Sequence, residues 1–127
     1  MKINLTSIFV DDQKKPLTFY TEILGFAKKT DIPMGEYSWL TVVSPEGIDG
    51  MELLLEALGF PPARVYQKAL FDAGIPVTSF ASADIRGECG RLEQRGVVFK
   101  MKPTQMGPAT VAVFEDTCGS LIQLVQQ

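Results

Sequence analysis

Two segments of this chain share one order of landmarks. Gly25 closes a Leu24-Gly25-Phe26 turn, and Gly96 closes an Arg95-Gly96-Val97 turn. Twenty-seven residues beyond each glycine a polar residue interrupts an apolar strand: Glu52 in Met51-Glu52-Leu53-Leu54-Leu55, and Gln123 in Leu121-Ile122-Gln123-Leu124-Val125. Ahead of each turn an acidic residue follows a short apolar run, Asp12 after Ile8-Phe9-Val10 and Asp84 after Phe80-Ala81. Two copies of one supersecondary unit account for this shared order. Matched positions of paired copies can converge on one site.

Hydrophobic period assigns the elements within each copy. Alternation predicts a strand over 2–10, then a helix with Leu17, Tyr20, Ile23 and Leu24 on its core face, capped by Asp11 or Asp12 and ended by Gly25. Strands follow at 26–32, 37–43 and 51–57. The Gly59-Phe60-Pro61-Pro62 break leads into a helix over 63–73. A strand at 76–82, a helix at 84–94 and strands at 97–101, 109–114 and 120–126 complete the chain. The expectation is an α+β fold of two tandem βαβββ modules, about 1–58 and 75–127, joined by a linker helix over about 59–74.

Several function classes drop out on composition. The chain has no histidine, which removes the commonest metal ligand and the commonest acid-base group near neutral pH. A net charge of -3 argues against a nucleic-acid partner, which favours a basic face. No apolar run approaches the ~20 residues of a membrane-spanning helix, and no signal-peptide pattern precedes the first strand. A cytoplasmic location is the expectation. The two cysteines, Cys89 and Cys118, lack metal-type spacing and read as reduced thiols.

Three segments carry a family resemblance. Phe19-Tyr20-Thr21-Glu22-Ile23-Leu24-Gly25-Phe26 resembles the helix-to-strand signature of the vicinal oxygen chelate superfamily. Met51-Glu52-Leu53-Leu54-Leu55 is similar to the ligand strand of its first module. Asp116-Thr117-Cys118-Gly119-Ser120-Leu121-Ile122-Gln123-Leu124 is similar to the closing turn and strand of its second. The superfamily holds glyoxalase I, extradiol dioxygenases, and fosfomycin and bleomycin resistance proteins. The resemblance implies a cup of curved mixed sheets and, commonly, a homodimer. It also implies four metal-ligand positions, which map here to Leu5, Glu52, Val77 and Gln123. Two hydrocarbons, one carboxylate and one amide make a poor set for Zn²⁺, Fe²⁺ or Mn²⁺. No metal and no cofactor are therefore expected.

Strand alternation fills in the expected cup. Ser7 and Phe9 face it from the first strand, Glu52 and Leu54 from the fourth, Ser79 from the fifth and Gln123 from the last. Equal spacing from Gly25 and Gly96 makes Trp39 and Thr110 counterparts, adding Tyr37 and Trp39 in one module and Ala112 and Phe114 in the other. Each candidate has a plainer alternative. Glu52 is a functional carboxylate or a solvated one, Trp39 a ligand platform or a core aromatic, and Gln123 a ligand contact or a structural hydrogen bond. The 103–108 segment is a flap over the mouth or an ordinary hairpin connection. Three functions compete: a metal-independent binder of a small organic molecule, a lyase or isomerase using Glu52 as general base, and an interaction subunit whose cup is only structural.

Overall fold

The computed structural model describes all residues, Met1–Gln127. The chain divides into two compact units, Met1–Arg64 and Val65–Gln127. The first holds β1 (Leu5–Val10), α1 (Lys14–Thr18) running on into a π-helical turn (Phe19–Ile23), β2 (Ala27–Met34), β3 (Tyr37–Val43) and β4 (Glu52–Ala57). Its sheet has the order β1-β4-β3-β2. Helix α2 (Pro61–Asp72) begins in the first unit and continues into the second, with its two prolines at the start, where a missing N–H costs nothing. The second unit adds β5 (Thr78–Ala81), α3 (Ile85–Gln94), β6 (Phe99–Met106), β7 (Ala109–Glu115) and β8 (Leu121–Gln126). Its sheet repeats the pattern as β5-β8-β7-β6. The α+β expectation and the doubled βαβββ order are both met.

Alternation divides each sheet into two faces. In the first unit Ile8, Val10, Leu40, Val42, Leu53 and Leu55 share one face and are all buried, along with Phe19 and Tyr20. The Tyr20 ring meets Phe19 edge-on at 5.5 Å and stacks on Phe26 at 6.3 Å. The Phe-Tyr…Leu-Gly-Phe signature is thus an aromatic cluster at the helix-to-strand corner. In the second unit α3 buries Ile85, Cys89 and Leu92 and lies against β6, β7 and β8. Asp84 caps it by accepting the Gly87 N–H at 3.1 Å. The expected Asp12 cap takes another form: Gln13 holds the cap position, while Asp12 Oδ1 accepts the Lys14 N–H at 2.9 Å.

The copies differ in length at three places. From Asp12 to Gly25 is 13 residues, but from Asp84 to Gly96 is 12. The π-helical turn absorbs the extra one, since the Leu24 N–H donates to Phe19 O, five residues back, at 3.0 Å. From Gly25 to Gly35 is 10 residues, but from Gly96 to Gly107 is 11. Here β6 carries two register shifts where β2 carries one. The third difference is a connection of eight residues, 44–51, after β3, against five, 116–120, after β7. Hairpin glycines Gly35 and Gly107, at φ 66° and 63°, anchor the comparison. Counted from them, Thr41 pairs with Leu54 where its counterpart Val113 pairs with Gln123. The counterpart of Gln123 is therefore Leu54, not Glu52. The counterpart of Trp39 is Val111, not Thr110.

The short connection in the second unit is tightly bonded. Asp116 is fully buried, and its Oδ1 accepts the N–H groups of Cys118 at 2.8 Å and Ser120 at 2.9 Å. Gly119 follows at φ 102°, where a Cβ would lie 2.7 Å from Gln67 Oε1. Gln67 Nε2 in turn donates to Cys118 O at 3.2 Å. Glycine is required here both for its backbone angle and for the close approach of α2.

Both cysteines are buried free thiols. Burial, reinforced by Glu88 and Glu93, pushes the Cys89 thiol up from 9.0 to about 11. Above pH 9.0 the unfolded chain therefore sheds this proton while the folded chain keeps it. Stability is expected to fall as pH rises from 9.0 to about 11, by a Cys89-dependent amount that disappears in Cys89→Ala. Urea midpoints across that range check it. At pH 7 neither thiol should react with iodoacetamide until the fold opens.

Candidate functional site

Paired residues on neighbouring strands point to the same side of a sheet. The pairs Ser7–Leu54, Phe9–Glu56 and Leu5–Glu52 join β1 to β4, and Thr41–Leu54 joins β3 to β4. Ile32–Trp39 and Met34–Tyr37 extend the same face to β2. One face of the first sheet thus assembles six expected site residues: Ser7, Phe9, Tyr37, Trp39, Glu52 and Leu54. Trp39 is 39% exposed and Tyr37 46%, so neither is a core aromatic. Ile32 at 54% and Met34 at 60% widen the exposed apolar strip. Gly59 allows this arrangement, since a Cβ there would come within 3.1 Å of the Tyr37 ring.

Glu52 is half-buried and oriented. The hydroxyl of fully buried Thr41 donates to Glu52 Oε1 at 2.7 Å. Thr41 was legible from the sequence, because it lies two residues beyond Trp39 and so shares its face. A cavity of about 230 Å³ opens beside it, lined by Met34, Tyr37, Ser38, Trp39, Leu54, Glu56 and Ala57. Gln13 closes one side of this region. Its Nε2 donates to Ser38 O at 2.7 Å and to Leu55 O at 3.1 Å, and its Oε1 accepts the Ser38 N–H at 2.9 Å. Nothing in the local sequence around Gln13 signals that role.

The second unit places its candidates differently. Ser79 and Gln123 are partners in the parallel pair of β5 and β8, and Gln123 Nε2 donates to Ser79 Oγ at 3.1 Å. Phe114 is not with them. It pairs with Ile122 and is buried to 1% exposure, with its ring 5.8 Å from that of Phe99. Val113 takes the Gln123 face instead. The additional bulge in β6 is the cause, because a one-residue slip exchanges the two faces of a strand. The expected flap at 103–108 is also mostly strand, since β6 runs to Met106 and leaves only Gly107 and Pro108 to turn.

The register also relates the four family metal positions to one another. Leu5 pairs with Glu52. Thr78 pairs with Ile122, so Val77 stands opposite Leu121, to whose carbonyl its N–H donates at 3.0 Å. Glu52 and Gln123 are therefore not matched positions: Leu121 is the counterpart of Glu52, and Leu54 that of Gln123. The mapped set of two hydrocarbons (Leu5, Val77), one carboxylate (Glu52) and one amide (Gln123) does not fit a divalent cation, which needs three or more N, O or S donors. No group of three or more Cys, Asp or Glu side chains comes together elsewhere to hold one.

Doubled βαβββ units with an aromatic corner at the first helix-to-strand turn define a family, and residues 2–124 match its sequence pattern. The chain belongs to the Glyoxalase/Bleomycin resistance protein/Dioxygenase superfamily. It is 57% identical to the Bacillus subtilis (strain 168) protein YurT over 127 residues, covering 100% of both chains. Among solved structures it is similar to UcmS2, with 31% identity, a TM-score of 0.84 and coverage of 98% of this chain and 97% of that one. It is also similar to TnmS3, an antibiotic binding protein from Streptomyces sp. CB03234, with 28% identity, a TM-score of 0.78 and coverage of 99% and 95%. No helix is long and apolar enough to cross a membrane.

Proposed function

We propose that this protein binds a small organic molecule on the Trp39 face of its first sheet without using a metal. The observation that carries the reading is the exposed strip of Ile32, Met34, Tyr37 and Trp39 at a cavity that the Glu56 carboxylate also lines, with Glu52 further along the same sheet face. Apolar walls with a few orienting polar groups are the usual anatomy of a small-molecule site. The hydrocarbons Leu5 and Val77 at two family ligand positions support metal independence, and the antibiotic-binding role given for TnmS3 supports a sequestering function. Glu52 acts here as an orienting acceptor: Thr41 fixes one oxygen and leaves the other to meet the ligand. A cationic aromatic ligand suits this set through stacking and charge pairing. A homodimer in the cytoplasm is the working state this reading assumes.

The test uses the protein's single tryptophan. Untagged protein is titrated with cationic, neutral and anionic flat aromatics, following Trp39 emission, before and after EDTA. Saturable quenching by the cationic members, unchanged by EDTA, is the expected result. Binding or turnover that appears only after Zn²⁺, Ni²⁺, Mn²⁺ or Fe²⁺ is restored, and that vanishes in Glu52→Ala, would transfer the protein to the general-base lyase reading.

A further inference from the structure

The two sheets differ at one matched place. In the second unit β7 and β8 stay paired from Thr110–Gln126 through Glu115–Leu121. In the first unit β3 and β4 pair only at Thr41–Leu54 and Val42–Leu53. The counterparts of Thr110 and Gln126 are Ser38 and Ala57, and these two do not pair. The Gln13 carboxamide stands where the Ala57 peptide would, exchanging both hydrogen bonds with Ser38 and donating a third to Leu55 O. The residue matched to Gln13 is Ile85, whose side chain offers no hydrogen bond; its own N–H goes to Gln126 Oε1 at 2.8 Å. A primary amide can replace a peptide in a ladder because it carries the same donor and acceptor.

We propose that Gln13 is a positioning residue that holds β3 and β4 apart, and that the slot so formed takes the flat end of the ligand. This rests on the binding reading above. The cavity follows the parted strands: Ser38, Trp39 and Tyr37 form one wall, and Leu54, Glu56 and Ala57 the other. At about 230 Å³ it is smaller than a site for a whole drug-sized molecule, so it holds one end of a ligand. The aromatic wall selects a planar ring system. Glu56 selects a positive or hydrogen-bond-donating edge on that ring. Unlike an ordinary sheet gap, the slot leaves the Ser38 backbone groups fully bonded, so opening it exposes no orphaned peptide there.

Amide exchange and cross-strand contacts at Ser38 and Ala57, followed by NMR, test the wedge without any ligand. Proflavine, a flat cation, tests the slot through quenching of Trp39. In Gln13→Ala the strands are expected to close, with a Ser38–Ala57 contact and slower exchange at both amides. Proflavine affinity should fall by about tenfold or more. Gln13→Leu, which keeps the bulk and loses the hydrogen bonds, gives the second reading if the alanine variant folds poorly. Strands that stay apart in both variants would overturn the role of Gln13 and leave the binding reading intact. Closed strands with unchanged proflavine affinity would overturn the slot as the ligand subsite. Absence of proflavine quenching in the wild-type protein would remove the binding reading and the slot with it, even if the strands close in the variants.

Discussion

Asp116→Ala should lower unfolding free energy by about 3–5 kcal/mol, the range for stripping the acceptor from more than one buried hydrogen bond. One carboxyl oxygen accepts the N–H groups of both Cys118 and Ser120, and Asp116, Cys118 and Ser120 are all buried. Removing it leaves two buried donors unmatched in one step. Asp116→Asn keeps an oxygen in place and should cost distinctly less. Urea unfolding of the two variants at pH 7 measures the contrast. A loss below about 1 kcal/mol for the alanine variant would mean the amides find other acceptors.

Phe114→Ala should destabilise by a similar ~3–5 kcal/mol, as expected for emptying a buried aromatic site. Phe114 lies on the Ile122 side of its sheet, 1% exposed, so it contributes to the core. Proflavine binding by the folded fraction should be unaffected. Trp39→Ala gives the opposite pattern: a change in stability within about 1 kcal/mol, since the side chain is partly exposed, and loss of binding, read from the emission of proflavine itself because the variant has no tryptophan. Together the two variants separate a residue of the proposed site from a residue of the core. Lost proflavine binding in fully folded Phe114→Ala protein would reverse that assignment.

The elements were legible because local signals agreed with the fold. Glycines at Gly25, Gly35, Gly74, Gly96 and Gly107 all take positive φ where turns or helix ends were expected. Strand parity put Ser7, Phe9, Tyr37, Trp39, Glu52 and Leu54 on one face, and it holds because β1, β3 and β4 contain no bulge. Counting failed where the backbone hides a residue. A π-helical turn and a β-bulge each add one residue without adding an element, and neither has a side-chain signature. The equal 27-residue intervals to Glu52 and Gln123 do not join matched residues: an added bulge residue and a connection three residues shorter put the counterpart of Glu52 two residues earlier, at Leu121, so the match is a coincidence of length. Gln13 was illegible for another reason: its bonds reach 25 and 42 residues along the chain.

The proline positions have a consequence for how these molecules meet one another. Pro33 lies in β2 and Pro103 in β6, the outermost strands of their sheets, and both strands carry register shifts and paired lysines, Lys28-Lys29 and Lys100 with Lys102. An outer strand offers a row of free peptide groups on which another chain can add a strand. Proline removes a donor from that row, the bulge twists the row out of line, and lysine makes the approach of an identical edge repulsive. A protein with an exposed strip of isoleucine, methionine, tyrosine and tryptophan carries an aggregation hazard on one face. The β2 and β6 borders oppose the spread of this hazard into fibrillar stacking along those edges.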